Sequence, residues 1–161
     1  MTSPPANVRL ARPSDEAALY ALLMALAAEN NTFNDDIDEG RIKEHILRGT
    51  RCDGGLHGII DGTGPGELAA SIGILWDRWW YSKRWMLSQI WLFVRPEYRH
   101  LGYDKDLIAW AEWARREIEA GADHPVSLVN TVISEKRLDA KLRLWRRHSK
   151  SEMVGGIFLL R

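Results

Sequence analysis

Cysteine is all but missing from this chain. Cys52 is the single thiol in 161 residues, so no disulfide can form within it, and a reducing compartment is permitted. Charge of either sign is not in excess: 22 Lys and Arg stand against 22 Asp and Glu, a net of zero. A dedicated nucleic-acid binder usually carries a basic surplus, so the balance argues against that class. No apolar run approaches the ~20 residues of a membrane-spanning helix. The opening MTSPPANVRL lacks the apolar core of a secretory signal. The expected address is therefore the cytoplasm, with no membrane partner. Internal repeats and low-complexity tracts are missing too.

What is present is ordinary for a globular chain, at 45% apolar and 27% charged residues. The length predicts one domain over residues 1–161, with residues 1–7 as a disordered lead-in containing two prolines. Tryptophan is the exception. There are eight, and five of them (Trp76, Trp79, Trp80, Trp85, Trp91) fall within sixteen residues. Such a cluster predicts either a thick aromatic core or a surface for a second copy of the chain, giving a homodimer.

Periodicity sets the order of elements. Val8–Ala11 is a short strand candidate. Pro13-Ser14-Asp15-Glu16 starts a helix with Ser14 as N-cap, and Leu19, Leu22, Leu23 and Leu26 place its apolar face inward to about Ala28. A polar loop, ENNTFNDD (29–36), carries one aromatic, Phe33. Asp35, Asp36, Asp38 and Glu39 invite a calcium site, but Gly40 is out of register for an EF-hand loop, so no metal is assigned. A second helix follows to Arg48, with Gly49 as its stop. Leu56–Asp61 and Glu67–Trp76 form a hairpin around the turn GTGPG (62–66). Later come a short strand over Val126–Val129, a helix with Leu138, Leu142 and Trp145 on one face, and a last strand over Met153–Leu160.

The most informative stretch lies between these, from Trp85 to Ala120. Met86–Val94 is apolar, aromatic or β-branched almost throughout and reads as a buried strand. Pro96 ends it. From Asp104 a helical stripe of Leu107, Ala111, Ala114 and Ile118 runs to Gly121. Between strand and helix lies Arg99-His100-Leu101-Gly102-Tyr103-Asp104. A strand, a turn with free backbone N–H groups and a helix N-terminus make an anion site, because unpaired amides and the helix dipole converge there.

The run VRPEYRHLGYD (94–104) resembles the acyl-CoA-binding signature of the GNAT family of N-acetyltransferases, V-x-P-x-[YFW]-[RQ]-x-x-G-x-[GA]. Val94, Pro96, Tyr98, Arg99 and Gly102 match it, while Asp104 stands where the pattern has a small residue. The resemblance implies an α/β fold: a mixed, mostly antiparallel central sheet flanked by helices on both faces. It implies acetyl-CoA, or another acyl-CoA, as cofactor. Leu92, Phe93 and Val94 would then line its pantetheine arm, and Arg99, His100, Leu101, Gly102, Tyr103 and Asp104 would hold its diphosphate.

The implied reaction moves the acyl group to an amine of a small molecule or peptide, with Phe33 and Trp79 as candidate substrate contacts. Many family members carry a glutamate on the fourth strand as base. Eleven residues before Arg99 this chain has Ser88, followed by Gln89. Many also carry a tyrosine on the last helix, where Trp145 stands here, and an indole N–H is no useful acid. Ser88, Gln89 and Tyr103 are thus the candidate catalytic residues, and Trp145 is expected in the core. His57 and His148 are further substitutes that no spacing selects. The basic run Lys141–Lys150 reads as a solvated helix face before it reads as a contact for an anionic partner. A catalytically degenerate protein of this fold, binding a ligand or partner, is the alternative.

Overall fold

The computed structural model describes residues 3–29, 37–78, 81–131 and 138–149. Its element order is β1 (Arg9–Leu10), α1 (Glu16–Glu29), α2 (Glu39–Thr50), β2 (Gly55–Asp61), β3 (Leu68–Arg78), β4 (Trp85–Val94), α3 (Tyr103–Ala120), β5 (Ser127–Asn130) and α4 (Leu138–Ser149). The strands make one sheet in sequence order. All neighbours are antiparallel except β4 and β5, which are parallel and joined through α3. A parallel pair needs such a crossover, whereas antiparallel neighbours need only turns. This is the mixed, mostly antiparallel sheet expected.

Helices cover both faces. On one, Ile72, Ile74, Leu87 and Val94 pack with Leu107, Ile108, Trp110 and Ala111 of α3 and with Trp145 of α4. On the other, Ile59, Trp91 and Phe93 pack with Leu19, Leu22 and Leu23 of α1 and Ile46 of α2. The clustered tryptophans therefore divide. Trp91 is buried, while Trp76 and Trp85 are 39% and 41% exposed. Trp85 is covered on one face by the Arg78 guanidinium, 3.8 Å from the ring centre. Trp79 and Trp80, and the last strand expected over 153–160, lie outside the described residues.

Local chemistry corrects two helix ends. Ser14 is not the cap of α1. A 3-10 turn over Pro13–Asp15 precedes the helix, and Asp15 reaches back to accept the Arg12 N–H at 2.8 Å. Arg9 in turn bridges Asp15 and Asp61, and its hydrogen bonds hold both carboxyls below their ordinary range. The helix α2 begins after Asp38, whose side chain accepts the Arg41 N–H, and continues past Gly49 to Thr50. Residues 3–7, expected as part of a disordered lead-in, include a turn. There the Val8 N–H meets the Pro5 carbonyl, and Asn7 Nδ2 donates to Asp106 at 2.7 Å.

Gly73 lies under the Trp91 indole. A Cβ there would sit 2.4 Å from the ring, so the buried indole or the strand would have to shift. Gly73→Ala should destabilise the protein by about 1–3 kcal/mol, read from its urea unfolding midpoint.

His57 is fully buried in the same layer, 4.6 Å from the Trp91 ring. Its two ring nitrogens face the carbonyls of Leu56 and His45, each at 2.9 Å. A neutral imidazole has one N–H, so only one of these contacts is a hydrogen bond. Burial nevertheless lowers the His57 pKa below its ordinary 6.5, and burial lowers that of His45 as well. The unfolded chain therefore takes up these protons first as pH falls. Stability should be undiminished above about pH 6.5, decline below it, and level off once the folded-state values are passed. Melting temperatures at pH 7.5 and 5.5 test this, and the drop should shrink in His57→Asn.

Candidate active site

The site begins where β4 and β5 separate. Among the described residues their pairing runs from Met86 opposite Ser127 to Gln89 opposite Asn130 and no further. At the same point β4 carries an extra residue. Gln89 faces Ile74 and Trp91 faces Gly73, which leaves Ile90 unmatched on β3. Such a bulge bends the strand and turns its following side chains over. Beyond it, no described residue of β5 covers the edge of β4 from Trp91 to Val94. Among the described residues, no strand pairs with this edge, and its last carbonyl, that of Val94, accepts from Arg99 Nε at 3.1 Å.

At the far end of the edge the chain turns sharply. The Arg95 N–H donates to the Ala69 carbonyl and its Nε donates to the Leu68 carbonyl, both at 2.9 Å. A 3-10 turn over Pro96–Leu101 buries Tyr98. The Tyr98 hydroxyl accepts the Thr63 N–H at 3.0 Å and lies 3.1 Å from Glu67 Oε2, to which it donates. The β2–β3 turn thus clamps the β4–α3 turn. Gly102 then takes a left-handed conformation, φ 75°, which a residue with Cβ adopts only under strain. It stands at the N-cap of α3 without offering a side-chain cap. The N-terminus of α3 therefore follows directly on the turn that ends β4.

Charge at this turn is less favourable than its backbone. The Lys105 N–H is shared between the Gly102 carbonyl and Asp104 Oδ1, each at 3.0 Å, so one of the amides is already engaged beside a carboxylate. Asp106 stands in the same first turn. Arg99 donates through Nη2 to both oxygens of Glu29, at 2.7 and 2.5 Å, and through Nε to the Val94 carbonyl at 3.1 Å.

The remaining expected residues are placed as follows. Leu92 and Val94 belong to the α3-side core and Phe93 to the α1 side, so their backbones, rather than their side chains, border the edge. His100 and Leu101 are exposed on the turn. Tyr103, at the first residue of α3, stacks on Tyr98 with ring centres 6.3 Å apart. It is thus at the turn and not at the fork. Ser88 is half-buried, and Gln89 is buried on the sheet face opposite to it. Trp145 is buried in the core, and His57 is sealed away from the fork's open edge. Arg143, Arg146 and Arg147 lie exposed on α4. Phe33 and Trp79 lie outside the described residues.

One feature of the fork gave no signal in the sequence. Gln89 Oε1 and Asn130 Oδ1 are buried and have no hydrogen-bond partner among the described residues. They are cross-strand neighbours on the last rung before the strands part. A buried acceptor without a donor costs about 1–3 kcal/mol, so two side by side favour a ligand that brings N–H groups.

No family model matches this chain, and no curated protein is similar to it. Solved structures are. An integron cassette protein from the mobile metagenome of Cole Harbour Salt Marsh superposes with a TM-score of 0.71 at 16% identity, covering 99% of this chain and 91% of its own. A predicted acetyltransferase from Clostridium acetobutylicum, solved with acetyl-CoA, gives 0.68 at 11% identity over 96% and 95%. An aminoglycoside acetyltransferase from an uncultured soil metagenomic sample, solved with sisomicin, gives 0.63 at 14% identity over 96% and 95%. At such identities the likeness is one of fold: the chain has the fold of the GNAT-type acetyltransferases.

Proposed function

We propose that the chain is an acyl-CoA-dependent N-acyltransferase, moving an acetyl or other acyl group to an amine of a small molecule or peptide. The observation that carries this reading is the open edge of β4, which starts at Ile90 and ends at the amides of α3. An acyl-CoA is an extended amide-bearing arm with a diphosphate at one end, and the site has that order of partners. Backbone groups of Leu92–Val94 would border the arm. The unpaired oxygens of Gln89 and Asn130 would accept its N–H groups, and the amides around Gly102 would take the diphosphate. The cofactor supplies the activated thioester carbonyl.

The chain's own share of the chemistry is orientation more than proton transfer. An alkyl ammonium has a pKa of about 10.4 and must lose a proton before it attacks. General base catalysis typically contributes about 10²–10⁴ in rate, and neither Ser88 nor Gln89 can supply it at neutral pH. Amines already neutral near pH 7 are therefore the better acceptors. A second reading, a protein of this fold that binds without turning over, is favoured by the same residues together with Trp145 and Asp104.

Calorimetry with acetyl-CoA and with CoA tests the first step, and absence of heat with either removes the acyltransferase reading. Thiol release should then be followed over a panel of aminoglycosides, peptides and arylamines. The aminoglycosides are included because structural neighbours act on them. Turnover should be fastest with the amines of lowest pKa, and tight binding without turnover on any of them would establish the second reading.

Asp104 gives a sharper test. Its carboxylate, in the first turn of α3, repels a diphosphate placed there. Asp104→Ala restores the small residue of the family pattern. It should tighten CoA binding about tenfold, equivalent to about 1.4 kcal/mol. Thermal stability should change little, because alanine's better helix propensity offsets the lost interaction with the helix dipole.

A further inference from the structure

Arg99 is the one cation of the turn that the family pattern specifies, and its guanidinium is already engaged. Nη2 donates to both carboxylate oxygens of Glu29, Nε donates to the Val94 carbonyl, and the group lies 5.9 Å from the centre of the Phe93 ring. Glu29 is the last residue of α1, seventy residues away in sequence. A carboxylate at the C-terminal end of a helix faces the negative end of its dipole. Glu29 is therefore poorly placed for the stability of α1, and Arg99 is what compensates it. Both side chains remain partly in solvent, 38% for Arg99 and 46% for Glu29, so the pair can exchange partners.

We infer that Glu29 is an internal competitor for the anion that binds at this turn. It holds Arg99 against α1, so an incoming diphosphate meets backbone amides alone until the Glu29–Arg99 pair opens. Binding at the turn and the position of the α1 end are thereby coupled through one ion pair. This inference rests on the acyl-CoA reading for the identity of the anion, but not for the competition itself. An exposed ion pair holds weakly, which bounds the effect to a few-fold.

The test is a double-mutant cycle on the intact protein, using two probes, CoA and inorganic pyrophosphate, titrated at one low salt concentration. Glu29→Gln should bind both probes two- to five-fold tighter than the wild type. Arg99→Gln alone should weaken binding by less than the same change does in the Glu29→Gln background, because Glu29 competes for that guanidinium. In the Glu29→Gln background the same Arg99→Gln change should abolish the whole gain. Melting curves should show both single variants folded, with Glu29→Gln close to wild type because α1 loses an unfavourable terminal charge. Equal or weaker binding of both probes by Glu29→Gln overturns the inference. A pyrophosphate gain without CoA binding in any variant upholds the competitor and overturns the acyl-CoA reading. No binding of either probe to any variant overturns both.

Discussion

The candidate site depends on how β4 loses its neighbour. A parallel partner such as β5 can be reached only by a crossover, so α3 must start beyond the C-terminal end of β4 and run back along the sheet. That requirement alone brings a helix N-terminus to the end of the strand. The extra residue Ile90 then bends β4 where its pairing with β5 ends. Two consequences follow from one insertion. Among the described residues, β4 is left without a neighbour in mid-sheet beyond the bulge, and its side chains are re-sorted between the two cores. Leu87 and Val94 share the α3 side although seven residues apart, an odd spacing that a regular strand would send to opposite faces.

Much of this was legible in the residues. Pro96, Gly102 and the stripe from Leu107 to Ile118 marked strand end, turn and helix, and these stand where the patterns put them. The bulge was not legible, because Met86–Val94 is apolar at nearly every position and carries no alternation for an insertion to disrupt. The cap of α1 was misplaced because Ser14 and Asp15 are both good capping residues, and only the 3-10 turn over Pro13–Asp15 decides between them. The partner of Arg99 was out of reach for another reason. Local pattern reports neighbours three or four residues away, and Glu29 meets Arg99 only through the packing of α1 on the sheet. Likewise the polarity of Gln89 was visible, but not that burial strands its oxygen beside that of Asn130. The tryptophan cluster could not be divided from sequence either, since only the sheet assigns Trp91 to a core and Trp85 to the surface.

The backbone and the charges of the turn therefore pull in different directions. Its backbone is held firmly: Tyr98 is pinned by Thr63 and Glu67, Arg95 is tied to Leu68 and Ala69, and Gly102 takes the left-handed bend that starts α3. Its charges are largely cancelled from within, since Glu29 engages Arg99 and Asp104 engages the Lys105 amide. Amides fixed by the fold cost no reorganisation when a ligand arrives, and they are unaffected by salt. Side-chain cations add long-range attraction, which ionic strength screens within about 10 Å at 0.1 M. On the proposed acyl-CoA reading, a turn of this kind would select its ligand by fit along the β4 edge more than by charge at its end. Anions that cannot also lie along that edge gain little from it. On that reading the cancelled charges would remove the part of the attraction that any phosphate shares, and leave the part that depends on the length and hydrogen-bonding pattern of the arm.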